Sequence, residues 1–104
     1  MFTIQQTTEF KEWLSRLRDR IAKARILARI RNVELGGNLG DWKTVGGGVS
    51  EMRVNVGAGY RIYFARRGGD IVVLLAGGDK STQKADIKRA IELAKTWSEE
   101  NENE

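Results

Sequence analysis

Residues 57–82 read GAGYRIYFARRGGDIVVLLAGGDKST. YRIYFAR alternates apolar and polar side chains, as a strand does, and the glycines of GAG and RGGD on either side are turn chemistry. IVVLLAG is continuously apolar, the pattern of a strand covered on both faces. Upstream, MRVNV (52–56) alternates as well, so the stretch predicts an antiparallel meander of three strands. Into the middle of this meander the chain places a guanidinium, Arg61, between Tyr60 and Ile62.

Turn lengths then suggest a register. A three-residue turn at 57–59 puts Val56 opposite Tyr60, and counting back pairs Asn55 with Arg61, Val54 with Ile62, Arg53 with Tyr63 and Met52 with Phe64. Because side chains alternate in direction, Met52, Val54, Val56, Tyr60, Ile62 and Phe64 form one apolar face, and Arg53, Asn55, Arg61 and Tyr63 share the other. A two-residue turn at Gly68-Gly69 sets Arg67 opposite Asp70 and brings Arg61 opposite Ala76, next to GGDKS. Arg61, Lys80 and a helix N-terminus are then expected at one end of the sheet, all favourable to an anion, with Gly77 and Gly78 letting a ligand approach the backbone. Tyr63 adds a ring and a hydroxyl. The expected surface is an outward-facing cationic patch suited to a phosphodiester, to which arginine offers bidentate contacts. Taken singly, a strand arginine is more often a solvated, edge-protecting residue; convergence with its neighbours raises the ligand reading.

Working outward, Phe2 to Gln5 reads as a short strand. Thr7 or Thr8 then caps a helix with the apolar stripe Phe10, Trp13, Leu14 and Leu17. A second helix is expected from Asp19 to about Leu35, with Ile21, Ala24, Leu27, Ala28 and Arg31 along its inner side, ended by glycine in GGN. WKTV is a candidate edge strand. Beyond GGDKST a third helix carries Ile87, Ala90, Ile91, Ala94 and Trp97, with Asp79 or Ser81 as its cap. Trp13, Trp42 and Trp97 read as core or half-buried anchors. Gly46–Gly48 lack the Lys-Ser/Thr ending of a phosphate loop and read as a turn. The expected fold class is α+β, in the order β-α-α-β-β-β-α. An N-terminal helix hairpin packs on a small, mainly antiparallel sheet with a C-terminal helix, as one domain over 1–98 followed by an acidic, frayed tail over 99–104.

The chain has 104 residues, net charge +4, and no Cys, His or Pro. Disulfides, Cys or His metal sites, and Ser-His or Cys-His nucleophiles are therefore excluded; neither metal nor cofactor is expected. The N-terminus lacks a basic segment followed by an apolar one, and no run approaches the ~20 apolar residues of a membrane span, so a cytoplasmic protein is expected. Positive charge gathers in KEWLSRLRDRIAKARILARIR (11–31). Lys11, Arg16, Arg18, Arg20, Lys23, Arg25 and Arg29 read first as a solvated helix face, second as a surface for RNA or an acidic partner. Lys23, Arg25 and Arg29, with Arg66 from the meander, are the candidates for RNA contact.

The motifs GNLGD (37–41), GYRIYF (59–64) and LLAGGDKSTQ followed by DI and A (74–90) resemble the RelE/ParE superfamily of toxins, specifically the HigB-like addiction module killer proteins of type II toxin–antitoxin systems, over nearly the whole chain. The resemblance implies the RelE-like fold and a toxin neutralised by a cognate antitoxin, often a helix-turn-helix DNA-binding protein. It implies cleavage of translated mRNA on the ribosome or, as the alternative, ParE-like inhibition of DNA gyrase. By position it makes Arg61 and Lys80 site residues, with Lys43 and Arg53 as further basic groups. RelE-related cleavers often carry a tyrosine or histidine near the chain end, and the third helix here has neither. RNA can be cut by its own 2′-OH, leaving the protein to orient the strand, stabilise negative charge and move protons. Arg61 and Arg53 suit the second task, Lys80 or Lys43 the role of base, and Tyr63 or Glu51 are weaker proton carriers.

Overall fold

The strand that carries Arg61 lies at the centre of the molecule, and everything else is arranged around its two faces. The structure, a computed structural model, describes residues 1–102, with side chains through Trp97. In chain order the elements are β1 (Thr3–Gln6), α1 (Thr8–Arg16), α2 (Arg20–Gly36), β2 (Trp42–Gly46), β3 (Val49–Val54), β4 (Tyr60–Arg67), β5 (Ile71–Asp79), a 3-10 turn (Lys80–Thr82) and α3 (Gln83–Glu102). The sheet order is β1-β5-β4-β3-β2, with β1 parallel to β5 and the other pairs antiparallel. This is an α+β fold with a mixed sheet, and WKTVG is its edge strand β2. Of the acidic stretch 99–104, residues 103–104 and the side chains of the rest lie outside the described residues.

Both faces of the sheet are covered. Phe10, Leu14, Ala22, Ile26 and Val33 from α1 and α2 pack on Met52, Val54, Tyr60, Ile62, Phe64, Val72 and Leu74. On the other face, Ala90 and Ala94 of α3 pack on Val49, Tyr63, Ala65, Val73, Leu75 and Ala76. Local chemistry sets the helix starts. The Thr7 hydroxyl accepts from the Phe10 N–H at 3.0 Å and donates to the Leu75 carbonyl at 2.7 Å, so the cap of α1 also fastens it to β5; such caps contribute ~1 kcal/mol. Asp19 caps α2 through the Ala22 N–H. Gly37, at φ 69°, ends α2 in the left-handed conformation that glycine adopts without penalty.

Four expectations are corrected. The first strand stands where expected, but the two helices after it do not pair as a hairpin: α1 lies against β5 and α2 against β3, because each helix has its own apolar stripe to bury on the sheet. The inner side of α2 is Ala22, Ile26 and Val33, whereas Ile21 and Leu27 are exposed. The loop between β3 and β4 spans residues 55–59, so Val54, not Val56, faces Tyr60, and Arg53 faces Arg61. The turn between β4 and β5 holds three residues, 68–70, rather than two, with Arg67 opposite Ile71, and a bulge between Tyr63 and Phe64 inserts Leu75. Arg61 consequently faces Gly78, not Ala76. The β3–β4 slip is by two residues, so the expected sorting of side chains onto faces survives it.

Candidate active site

Across the sheet, Lys43, Glu51, Tyr63 and Ala76 form one row of Cα partners, and Arg53, Arg61 and Gly78 the next row on the same face. Lys80 follows directly after β5. The structure thus brings together Lys43, Arg53, Arg61, Tyr63 and Lys80, the residues the sequence singled out. The face is not open, however: α3 covers it, and it carries carboxylates as well as cations.

Arg61 is only 6% exposed. Its Nη1 donates to the carbonyls of Gly59 and Tyr60, both at a long 3.3 Å, and its Nε is buried without a partner. Among the described residues no carboxylate lies within ion-pairing distance of it. Directly opposite stands a second guanidinium, Arg53, whose Nη2 reaches Asp41 at 3.0 Å and whose Nε is also unpartnered. Like charges paired across strands repel, and a desolvated cation without a counter-ion is costly; both are relieved by an anion. Gly59, at φ 78°, makes the Arg61 loop fit its surroundings, since a Cβ there would meet the Lys80 chain at 2.9 Å. Lys80 therefore lies against the loop that holds Arg61, with its surface exposed.

Glu51 is fully buried. It accepts from Gln83 Nε2 at 3.1 and 3.3 Å, and the half-exposed Lys43 stands 3.7 Å away. Beside it Tyr63 is also fully buried, with no partner for its hydroxyl. Burial first, then the negative charges of Glu51 and Asp86, push the Tyr63 phenol above its ordinary range, against the opposing pull of Arg61. Tyr63 stays neutral at physiological pH, which leaves it able to donate a proton and unable to act as a base.

Several expected features are corrected here. The outward cationic patch is instead a covered, mixed-charge face. Gly77 and Gly78 admit the protein's own side chains, not a ligand: a Cβ at Gly77 would collide with Trp13, and one at Gly78 with Asp86. The turn before α3 is capped from within, as Asp79 accepts from the Ser81 N–H at 2.8 Å and from its hydroxyl. The Ser81 side chain and then its backbone hold the Asp79 carboxyl below the usual carboxylate range. Of the residues read as RNA contacts, none joins this site. Arg29 is a structural clamp, donating to the carbonyls of Leu39, Asp41 and Arg53, and its burial lowers its pKa against the pull of Asp41. Lys23 and Arg25 belong to α2, on the other side of the sheet. Arg66 sits at the far end of β4, with its guanidinium 5.0 Å from the Phe2 ring centre.

Sequence reasoning placed Glu51 only among the weaker candidates and passed over Gln83 and Asp86. The alternation in SEMRV puts Glu51 on the Arg53 face; nothing local reveals that α3 will bury it.

Comparison with known proteins adds to this geometry. A curated protein of Haemophilus influenzae (strain Rd), described as an uncharacterized protein, is 50% identical over 91 residues, covering 88% of this chain and 91% of the relative. The family described as phage derived protein Gp49-like (DUF891) matches residues 12–99, from α1 through most of α3. The chain belongs to this Gp49-like family, which lies within the RelE-like group of addiction-module toxins.

Proposed function

We propose that the protein is the toxin of a toxin–antitoxin pair, of the HigB-like kind, and an endoribonuclease acting on mRNA during translation. The single observation that carries this reading is Arg61: a nearly buried guanidinium that, among the described residues, makes no ion pair with a carboxylate, held across from Arg53. Arginine remains charged at any relevant pH, so the arrangement is complete only when an anion joins it, and a scissile phosphate is the anion the family membership favours.

In this reading the exposed Lys43 and Lys80 draw the backbone to the edge of the face, and Arg61 and Arg53 stabilise the negative charge that builds on the non-bridging phosphate oxygens. The ribose 2′-oxygen forms the new bond to phosphorus as the bond to the 5′-oxygen breaks. The 2′-OH proton passes to a base, for which Lys43 beside Glu51 and Lys80 are the candidates. The 5′-oxygen leaves with a proton supplied by the neutral Tyr63 phenol or by water, giving a 2′,3′-cyclic phosphate and a 5′-OH end. No cofactor or metal enters these steps. The setting is the bacterial cytoplasm, and a helix-turn-helix antitoxin is the expected neutralising partner.

The test is a brief induction in bacteria with transcriptome-wide mapping of new 5′-OH ends, alongside Arg61→Met, whose circular dichroism and melting curve confirm folding. New ends within translated frames for the wild type, with loss of both ends and growth arrest in the folded variant, support the reading. Growth arrest with intact mRNA, or cutting retained by Arg61→Met, overturns it.

A further inference from the structure

The helix α2 carries two apolar stripes, and the sheet uses one. Ala22, Ile26 and Val33 face inward. Turned away from the sheet, Ile21, Ala24, Ala28, Arg31 and Leu35 follow one another at spacings of three, four, three and four residues, the spacing of a helix–helix seam. This outer stripe is bare. Ile21 is 66% exposed and Leu35 58%, and Leu27, flanking the seam, is 49% exposed. A shallow depression of about 450 Å³, lined by Leu27, Ala28, Ile30, Arg31 and Glu34, runs beside it. Large apolar side chains repeated along one exposed face mark an interaction surface, and the two central alanines let a second helix approach closely.

Charge selects the occupant. Arg20, Lys23, Arg25 and Arg31 stand on or beside the stripe, and Glu34 is the one acidic residue within α2. A second copy of this chain laid along the seam would bring these cations against their own kind. An RNA strand would match the charge but leave Ile21, Leu27 and Leu35 without apolar partners. We infer that the outer face of α2 docks an acidic amphipathic helix of a protein partner, its apolar residues at the same three-four spacing and its glutamates or aspartates flanking the seam opposite Arg20, Arg25 and Arg31. This surface lies on the opposite side of the sheet from the Arg61 side chain, so the inference stands independently of the ribonuclease reading.

The test uses a synthetic helical peptide as probe, with leucines at the seam positions and glutamates flanking them, labelled with fluorescein and titrated with the full-length protein by anisotropy. A second peptide carries lysines in place of the glutamates. The expected result is saturable binding of the glutamate peptide that weakens as salt rises, none of the lysine peptide, and a loss of about tenfold or more with Ala28→Glu and, separately, Leu35→Glu. Both positions are exposed, so both variants are expected to keep the wild-type circular dichroism and melting temperature. No binding of the glutamate peptide, equal binding of the two peptides, or titrations unchanged in both variants overturns the inference. So does a wild-type dimer in light scattering that Ala28→Glu dissociates, which would give the face to a second copy.

Discussion

The two faces of the central sheet are packed by different rules. Toward α1 and α2, β4 presents Tyr60, Ile62 and Phe64 to an apolar core, and the charged side chain that comes down beside it, Arg29, spends its donors on three backbone carbonyls. Toward α3 the same strand presents Arg61, Tyr63, Ala65 and Arg67, against a helix that buries Ala90 and Ala94 with Ile87, Ile91, Leu93 and Trp97 packed beside them, and there the Nε atoms of Arg61 and Arg67 and the Tyr63 hydroxyl are buried without partners. One face is built to be complete in the isolated chain. The other leaves polar groups unsatisfied, and unsatisfied buried groups are where folds give up stability for a ligand or a reaction.

The contrast is tested most strongly on the apolar side. Phe64 is fully buried, with Trp42 edge-on at 6.1 Å between ring centres. Phe64→Ala is expected to cost ~3–5 kcal/mol, a large part of the ~5–15 kcal/mol that holds a domain of this size. Urea denaturation measures it, and a cost below ~1.5 kcal/mol would mean that the α1/α2 face is not the principal core.

That division was partly legible in the sequence. YRIYFAR sorts its side chains by simple alternation, so Tyr60, Ile62 and Phe64 were separable from Arg61 and Tyr63 even though the register with β3 was wrong by two residues. The strand WKTV, the Thr7 cap and the Gly37 stop were likewise readable, since their chemistry is local. Three features were not. The five-residue loop 55–59 hides behind a glycine pair that also suits a shorter turn, and the Leu75 bulge leaves no mark in a continuously apolar run. In α2 both stripes satisfy helical periodicity, and Ile21 with Leu27 looked the better core until the sheet claimed Ile26 and Val33. At the site, the neighbourhood of Arg61, Arg53, Lys43, Tyr63 and Lys80 could be anticipated from strand parity. Its enclosure could not, because Gln83, Asp86 and Ala90 arrive from a helix whose placement depends on the whole sheet.

A second, smaller test concerns how the two arginines differ. Arg29 donates to Leu39, Asp41 and Arg53 carbonyls at 2.8–3.3 Å, joining α2 to the segment that leads into β2 and to the edge of the sheet. Arg29→Met removes charge-assisted bonds and leaves those carbonyls to water, and is expected to cost about 2 kcal/mol. Arg61→Met removes a desolvated charge that makes no ion pair among the described residues and is expected to leave the melting temperature level or higher. A melt in which Arg61→Met loses more stability than Arg29→Met would reverse the assignment of structural and functional arginine.

The smallest effect is the sharpest probe of the α3 face, because its sign is unusual. The Tyr63 hydroxyl is buried with no partner, so Tyr63→Phe removes a polar group that the fold has already desolvated and breaks no hydrogen bond. Its expected effect near neutral pH is between zero and a gain of ~1 kcal/mol. Alkaline titration adds a second reading. The folded phenol ionises above its ordinary value of about 10, so the unfolded chain releases this proton first. Wild-type stability is therefore unaffected by Tyr63 below pH ~10 and falls as pH rises toward the higher folded value. Tyr60, whose phenol burial also raises, contributes a decline of the same sign in both proteins. The gap between Tyr63→Phe and wild type should accordingly widen in favour of the variant above pH ~10, measured as the difference between their urea midpoints. A variant destabilised at neutral pH, with no widening under alkali, would show that the hydroxyl is satisfied in the free protein. That would leave the guanidinium groups of Arg61 and Arg53 as the incomplete groups on this face that point to a ligand.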